Sequence, residues 1–195
     1  MANKMAGYRG KRMFDVVGSS AILLMFLPLI LISCVAVGVT SPGGAIFRQQ
    51  RVGCLGQRFE CLKLRTMYLG SGDELTYPGD PRVTFVGRFL RRFAIDELPQ
   101  LVNVIKGEMS LVGPRPHILS QESIFENEFS NFQERRYLRP GMTGLAQVSG
   151  FRGPTDTMTK RAGRLDYDLQ YIKNSSFLLD LKILIKTVWV IALNR

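Results

Sequence analysis

The hydrophobic pattern is broken most sharply near the N-terminus. Val16 to Val39, VVGSSAILLMFLPLILISCVAVGV, runs 24 residues without a charge. As a straight helix that segment is about 36 Å long, enough for a hydrocarbon core of about 30 Å. It is too long for a signal-peptide core, and no small-x-small site closes it. Pro28 near its middle removes a backbone donor and predicts a kink or break. The flanks carry Lys4, Arg9, Lys11 and Arg12 on one side and Arg48, Arg51 and Arg58 on the other, four against three, so charge sets almost no orientation. A central proline between two basic flanks favours a re-entrant hairpin with both ends on one face over a spanning helix. Asp15 is expected to pair with Arg12, three residues away on the same face.

Beyond the turn cluster Ser41-Pro42-Gly43-Gly44, Ala45 to Gln50 and Arg58 to Leu64 read as two strands of a hairpin, joined around Gly53 to Gly56. Leu69 to Arg82 is rich in Gly, Pro and Asp and reads as a long functional loop. Thr84 to Ala94 mixes apolar residues with Arg88, Arg91 and Arg92. A helix is predicted from Asp96 to Lys106, stopped by Gly107. Ile118 to Leu138 is largely helical in pattern, and Asp156 to Lys173 is a further helix. The tail Phe177 to Leu193 is apolar but for Asp180, Lys182, Lys186 and Thr187. Lys182 and Lys186 share a face and Trp189 lies nearby, which fits an interfacial helix; a buried helix with a polar stripe fits equally. The pattern sums to a mostly helical α+β chain with a small β-hairpin. It forms one structural domain: a basic flank and membrane helix over 1–40, then a catalytic region over 41–195.

The 195 residues carry 26 Lys plus Arg against 16 Asp plus Glu, a net charge of +10, which calls for a polyanionic partner. Scattered basic residues with no helix-turn-helix, zinc-finger or RNA-binding signature argue against nucleic acid. Three widely spaced cysteines (Cys34, Cys54, Cys61) fit a reducing compartment, and one histidine, His117, leaves no zinc set. No P-loop, GxGxxG or GxSxG motif is present.

Three constellations remain. Asp96-Glu97 precedes Leu98-Pro99. Asp96 fits a helix N-cap, and it equally fits a nucleophile or metal ligand beside Arg91 and Arg92. Arg115 sits between Pro114 and Pro116, held by restricted backbone, either as a rigid solvated turn or as a bidentate grip on phosphate. Arg139-Pro140-Gly141 is a second rigid basic turn. Lys63 and Arg65 would project to one face of a strand. Together these point to phosphate chemistry at a membrane surface without naming a reaction.

The motifs KRMFD (11–15), IFRQQRVG (46–53), KLRTM (63–67), DPRVTFVGRFLRR (80–92), DELPQLVNVIKGEMSLVGPRP (96–116), RPGMTGLAQVSG (139–150) and YIKNSSFLLDLKIL (171–184) occur in this order. The chain thereby resembles the bacterial sugar transferases, monotopic polyprenyl-phosphate phosphoglycosyltransferases, in their small, minimal form. The resemblance implies that Asp96 attacks the β-phosphate of a UDP-sugar, releases UMP and holds a phosphosugar. Polyprenyl (undecaprenyl) phosphate then takes that phosphosugar, at the first membrane step of exopolysaccharide, O-antigen or glycoconjugate synthesis. It further implies Mg²⁺ at Asp96, a metal-site or acid–base role for Glu97, and phosphate contacts from Arg115, with Arg88, Arg139, Lys63 and Arg65 as further candidates. The expected location is the cytosolic face of the bacterial inner membrane, with the lipid bilayer as a partner. A homo-oligomer and downstream glycosyltransferases are left open. The family often places Ser-Pro at the helix break, where this chain has Leu27-Pro28. The sugar is not specified by any motif. A membrane-bound glycosyltransferase releasing UDP and a non-catalytic basic membrane binder are the competing readings.

Overall fold

The computed structural model describes residues 7–71, 76, 77 and 79–193; Lys4 and part of the loop expected over 69–82 lie outside the described residues. Helix α1 runs from Lys11 to Thr40, and it is long and apolar enough to cross a membrane by length and composition. It continues through Pro28 without interruption, so the expected break does not occur. Proline costs the Leu24 carbonyl its helical partner, and the apolar turns on either side carry the helix onward.

One face of α1 is buried toward each end, through Lys11, Asp15 and Ser19 and then Ile30, Ser33 and Val37, while no residue over 20–29 is buried. Near one end Asp15 Oδ1 accepts from Ser110 Oγ at 3.0 Å and from the Leu111 amide at 3.1 Å. Near the other end Val37 packs with Leu64 and Leu90. Both ends therefore rest on the same body. The opposite face exposes Met13, Val17, Leu24, Leu31, Val35 and Val39. Asp15 does not pair with Arg12. Lys11 Nζ lies 3.6 Å from Asp15, and Arg12 donates to the carbonyls of Val104 and Ile105 at 2.6 and 2.8 Å. A guanidinium there meets the negative, carbonyl end of the helix over 100–106, which favours a cation.

The hairpin pairs β1 (Ile46–Val52) with β2 (Arg58–Leu64), Ile46 opposite Leu64 and Val52 opposite Arg58. Helix α2 (Phe85–Arg92) is capped by Thr84, whose hydroxyl accepts from the Gly87 amide at 2.9 Å. A Cβ on Gly87 would stand 2.1 Å from the Thr66 carbonyl, so only glycine lets α2 approach β2's extension this closely. A 3-10 turn, Ile95–Glu97, leads into α3 (Gln100–Lys106), which ends at Gly107 in the left-handed conformation.

Two short strands, β3 (Ser110–Val112) and β4 (Gly141–Thr143), pair in parallel. Three-residue strands show no alternation, so the sequence reading placed none here. Helices α4 (Leu119–Glu128), α5 (Leu145–Val148), α6 (Met158–Asn174) and α7 (Phe177–Ala192) complete the body, with a 3-10 segment at Phe132–Tyr137. The main core gathers Phe59, Leu101, Val104, Met109, Val112, Tyr171 and Ile183. The chain is thus α+β and mostly helical, as expected. The C-terminal helix has one buried and one exposed apolar face: Ile183 is in the core while Leu181, Ile185, Val188 and Trp189 are exposed.

One buried polar knot ties the two ends together. Lys11 Nζ donates to Asp180 Oδ2 at 2.6 Å, and Tyr171 OH donates to Asp180 Oδ1 at 2.7 Å. A charge on α7 that looked like an obstacle to burial is buried with its partners supplied.

Candidate active site

Strand β2, the 3-10 turn after α2, and the loop after β3 converge on one cleft of about 550 Å³. Among the described residues Asp96 and Glu97 are its only lining carboxylates, and Arg51, Lys63, Arg65, Arg91, Arg115, Arg152 and Arg164 line it with positive charge. A cavity of this size suits a nucleotide-sized ligand, and its charge suits one carrying phosphate.

The acidic pair is presented by a strained turn. Ala94 has φ 54°, a left-handed conformation that a Cβ disfavours. This turns the chain so that Asp96 and Glu97 both reach the cleft. Helix α3 starts only at Gln100, after Pro99, so Asp96 is not its N-cap. Pro99 has no amide hydrogen to bond back along the chain, so the regular α-helical ladder begins only beyond it.

The two carboxylates differ in state. Glu97 Oε1 accepts from Arg115 Nη2 at 2.7 Å and from Lys63 Nζ at 3.0 Å. Burial pushes its carboxyl up, but Arg115 and Lys63 outweigh that and hold it well below the usual carboxylate range. Asp96, 8% exposed, has no hydrogen bond or ion pair among the described residues. Burial and the adjacent Glu97 charge push its carboxyl up, against a downward pull from Lys63, Arg91 and Arg115. An unpartnered carboxylate at the base of a cationic cleft is open to an incoming phosphorus or cation. Among the described residues no three metal-ligating side chains cluster. One open carboxylate nevertheless fits Mg²⁺, which characteristically takes one or two protein carboxylates and completes its shell with substrate phosphates and water.

The other candidates separate clearly. Lys63 and Arg115 stand in the cleft, engaged with Glu97. Arg65 lines the cleft, but its guanidinium donates to the carbonyls of Ser41 and Gly43 at 2.7 and 3.0 Å. Arg139 is not in the cleft: its Nε donates to the Gly107 carbonyl at 2.8 Å, closing the end of α3. Arg88 is exposed on α2, 5.8 Å from the Phe85 ring centroid. Arg139 is drawn away because the carbonyl end of α3 needs a donor and the nearby guanidinium supplies it. Arg152 and Arg164, which the sequence reading did not single out, stand in the cleft. Arg164 is anchored on the Phe151 and Gly153 carbonyls, each at 2.6 Å. A Phe-Arg-Gly-Pro turn close to a helix start was the available signal.

Behind the cleft, Arg135 donates to the Arg115 carbonyl at 2.7 Å and to Asp168 at 2.9 Å. Glu122 binds Arg135 at 3.4 Å and also Arg136. This buried lattice fixes the Pro114-Arg115-Pro116 turn from below. His117, 1% exposed, packs against Phe125 and Phe132 at 4.5 and 5.9 Å between centroids. Burial first, then the surrounding arginines, push its imidazole well below the ordinary value, so it is neutral.

The sequence pattern that defines bacterial sugar transferases matches residues 6–194. The chain belongs to the bacterial sugar transferase family. A Caulobacter vibrioides relative named UDP-glucose:undecaprenyl-phosphate glucose-1-phosphate transferase is 46% identical over 91% of this chain and 68% of its own length. A Klebsiella pneumoniae relative of the same name is 43% identical over 95% of this chain and 40% of its own length. The exopolysaccharide production protein PSS of Rhizobium leguminosarum is 40% identical over 91% of this chain and 92% of its own length. The bacterial sugar transferase thus corresponds to less than half of the Klebsiella relative and to nearly all of the Rhizobium one. Its cleft is built from the DELPQL and VGPRP blocks, which bring Asp96, Glu97 and Arg115 together across 20 residues of chain.

Proposed function

We propose that this protein transfers a phosphosugar from a UDP-sugar to polyprenyl phosphate, with UMP as the leaving product. The observation that carries the reading is Asp96, a buried carboxylate without a partner beside a fully paired Glu97, in a cleft lined by cations. The names of the relatives support the substrate class and make UDP-glucose the first donor to test.

In the first half-reaction an Asp96 carboxylate oxygen bonds to the β-phosphorus. The bond from that phosphorus to the bridging oxygen breaks, and UMP leaves with the oxygen. In the second, a phosphate oxygen of the acceptor bonds to the same phosphorus and the Asp96 carboxylate is regenerated. Both nucleophiles are anions, so neither step needs a base. Arg115 and Lys63 hold Glu97 ionised, and their remaining donors face the diphosphate. Arg91, 2.8 Å from Thr66 Oγ1 through its Nε, stands beside Asp96. Mg²⁺ at Asp96 would neutralise charge on the diphosphate and the leaving UMP.

The same reading places the protein on the cytosolic face of the bacterial inner membrane, with α1 inside one leaflet. Packing of both ends of α1 on one body favours a helix held within one leaflet over a spanning one. The exposed Phe85, Phe89 and Phe93 of α2 and Trp189 of α7 support a flat apolar contact with lipid.

The test is product analysis. Protein in nanodiscs with undecaprenyl phosphate, Mg²⁺ and a panel of UDP-sugars should release UMP from one donor, and Asp96→Asn should release none while folding normally. Release of UDP would make the protein a glycosyltransferase and overturn the reading.

A further inference from the structure

A second cavity, of about 170 Å³, adjoins the cleft. Its walls are apolar, with Ile22 from α1, Leu98 and Leu111 from the body, and Leu184, Val190 and Ile191 from α7. Among the described residues its only charged lining residues are Glu97 and Arg152, and these two also line the polar cleft. The two cavities therefore meet at Glu97 and Arg152.

Arg152 carries the argument. It is half-buried, and among the described residues it makes no hydrogen bond or ion pair. The neighbouring cations of the cleft are differently placed: Lys63 and Arg115 are spent on Glu97, and Arg65 and Arg164 on carbonyls. A guanidinium at the junction of a polar and an apolar cavity suits one kind of ligand, an anionic head on a hydrocarbon tail.

We infer that Arg152 holds the phosphate of the lipid acceptor and that the crevice takes the first isoprene unit of its tail. This rests on the phosphosugar-transfer reading above. The size fits, since a cavity of about 150 Å³ accommodates benzene, a six-carbon hydrocarbon. The rest of the tail would leave along the exposed Ile185, Val188 and Trp189 of α7 into the membrane. Donor and acceptor then approach Asp96 from different sides, the donor through the polar cleft and the acceptor from lipid.

The test uses the full chain in nanodiscs. Val190→Trp fills the crevice and Arg152→Gln removes its cation. Each should raise KM for polyprenyl phosphate at least tenfold, and with Val190→Trp, which lies outside the polar cleft, KM for the UDP-sugar should change less than twofold. A prenyl phosphate carrying a diazirine in its first isoprene unit should label wild-type residues 184–191, and excess phosphatidylglycerol should not suppress that label. The labelling arm keeps the inference testable if Val190→Trp fails to fold. Unchanged acceptor KM in folded variants, labelling confined to the outer faces of α1 and α2, or loss of label to phosphatidylglycerol would each overturn it. If the wild-type protein transfers no phosphosugar from any donor, the functional reading itself fails; labelling of 184–191 would still establish the lipid-phosphate site.

Discussion

Arg115 Nη2 lies 2.7 Å from Glu97 Oε1, across 18 residues of sequence. The proline-flanked arginine therefore spends part of its fork on an acidic neighbour before any ligand arrives. That contact holds Glu97 ionised and leaves Asp96, one residue earlier, as a carboxylate with no hydrogen bond or ion pair among the described residues. Adjacent carboxylates thus have different surroundings: one is paired with two cations, the other is not.

Glu97→Gln should remove the charge that fixes both Arg115 and Lys63. Displacement of a positioning group by about 1 Å costs on the order of 10²-fold in rate, and kcat/KM for UMP release is expected to fall by about that factor with folding intact. A variant within threefold of wild type would show that the Glu97–Arg115 contact does not organise the cleft.

Lys11→Met should unfold the protein more easily. Lys11 is 5% exposed and Asp180 fully buried, and removing one partner of a buried pair costs about 3–5 kcal/mol. Tyr8 and Tyr171 still donate to Asp180, which puts the expectation at the low end. Thermal unfolding in detergent measures it, and a variant with an unchanged midpoint would contradict the buried pair.

His117 predicts a pH effect on stability. Its folded pKa lies well below 6.5, so between that value and 6.5 the unfolded chain binds a proton that the native state does not. Stability should therefore decline as pH falls below about 6.5, with a slope of up to about 1.4 kcal/mol per pH unit. His117→Phe, placed against Phe125 and Phe132, should flatten that limb. Unfolding midpoints at pH 7.5 and 5.5 compare the two, and equal slopes would refute the assignment.

Asn103 is 0% exposed. Its Oδ1 accepts from the Leu62 amide at 3.0 Å and its Nδ2 donates to the Glu60 carbonyl at 2.7 Å. Asn103→Leu strands both groups on β2 and should cost about 2–4 kcal/mol. Because β2 carries Lys63, UMP release should weaken as well. Urea unfolding with wild-type stability would show that α3 does not brace the strand through this residue.

The sequence by itself determined the long apolar helix, the hairpin, the helix stop at Gly107 and the family. These depend on local signals: an uncharged run, short strands around a glycine turn, a left-handed stop, and motifs in fixed order. It also brought Asp96, Glu97 and Arg115 forward by residue type and rigid spacing. Only the tertiary structure decided which arginines serve the cleft. Arg139 and Arg152 look alike in a sequence, yet one closes a helix end and the other lines two cavities with no hydrogen bond or ion pair among the described residues. The parallel pairing of Ser110–Val112 with Gly141–Thr143, the burial of Asp180, and the different states of Asp96 and Glu97 were decided there too. Each depends on partners far away in the chain, and a guanidinium or carboxylate takes its role from what the fold places within about 3 Å of it.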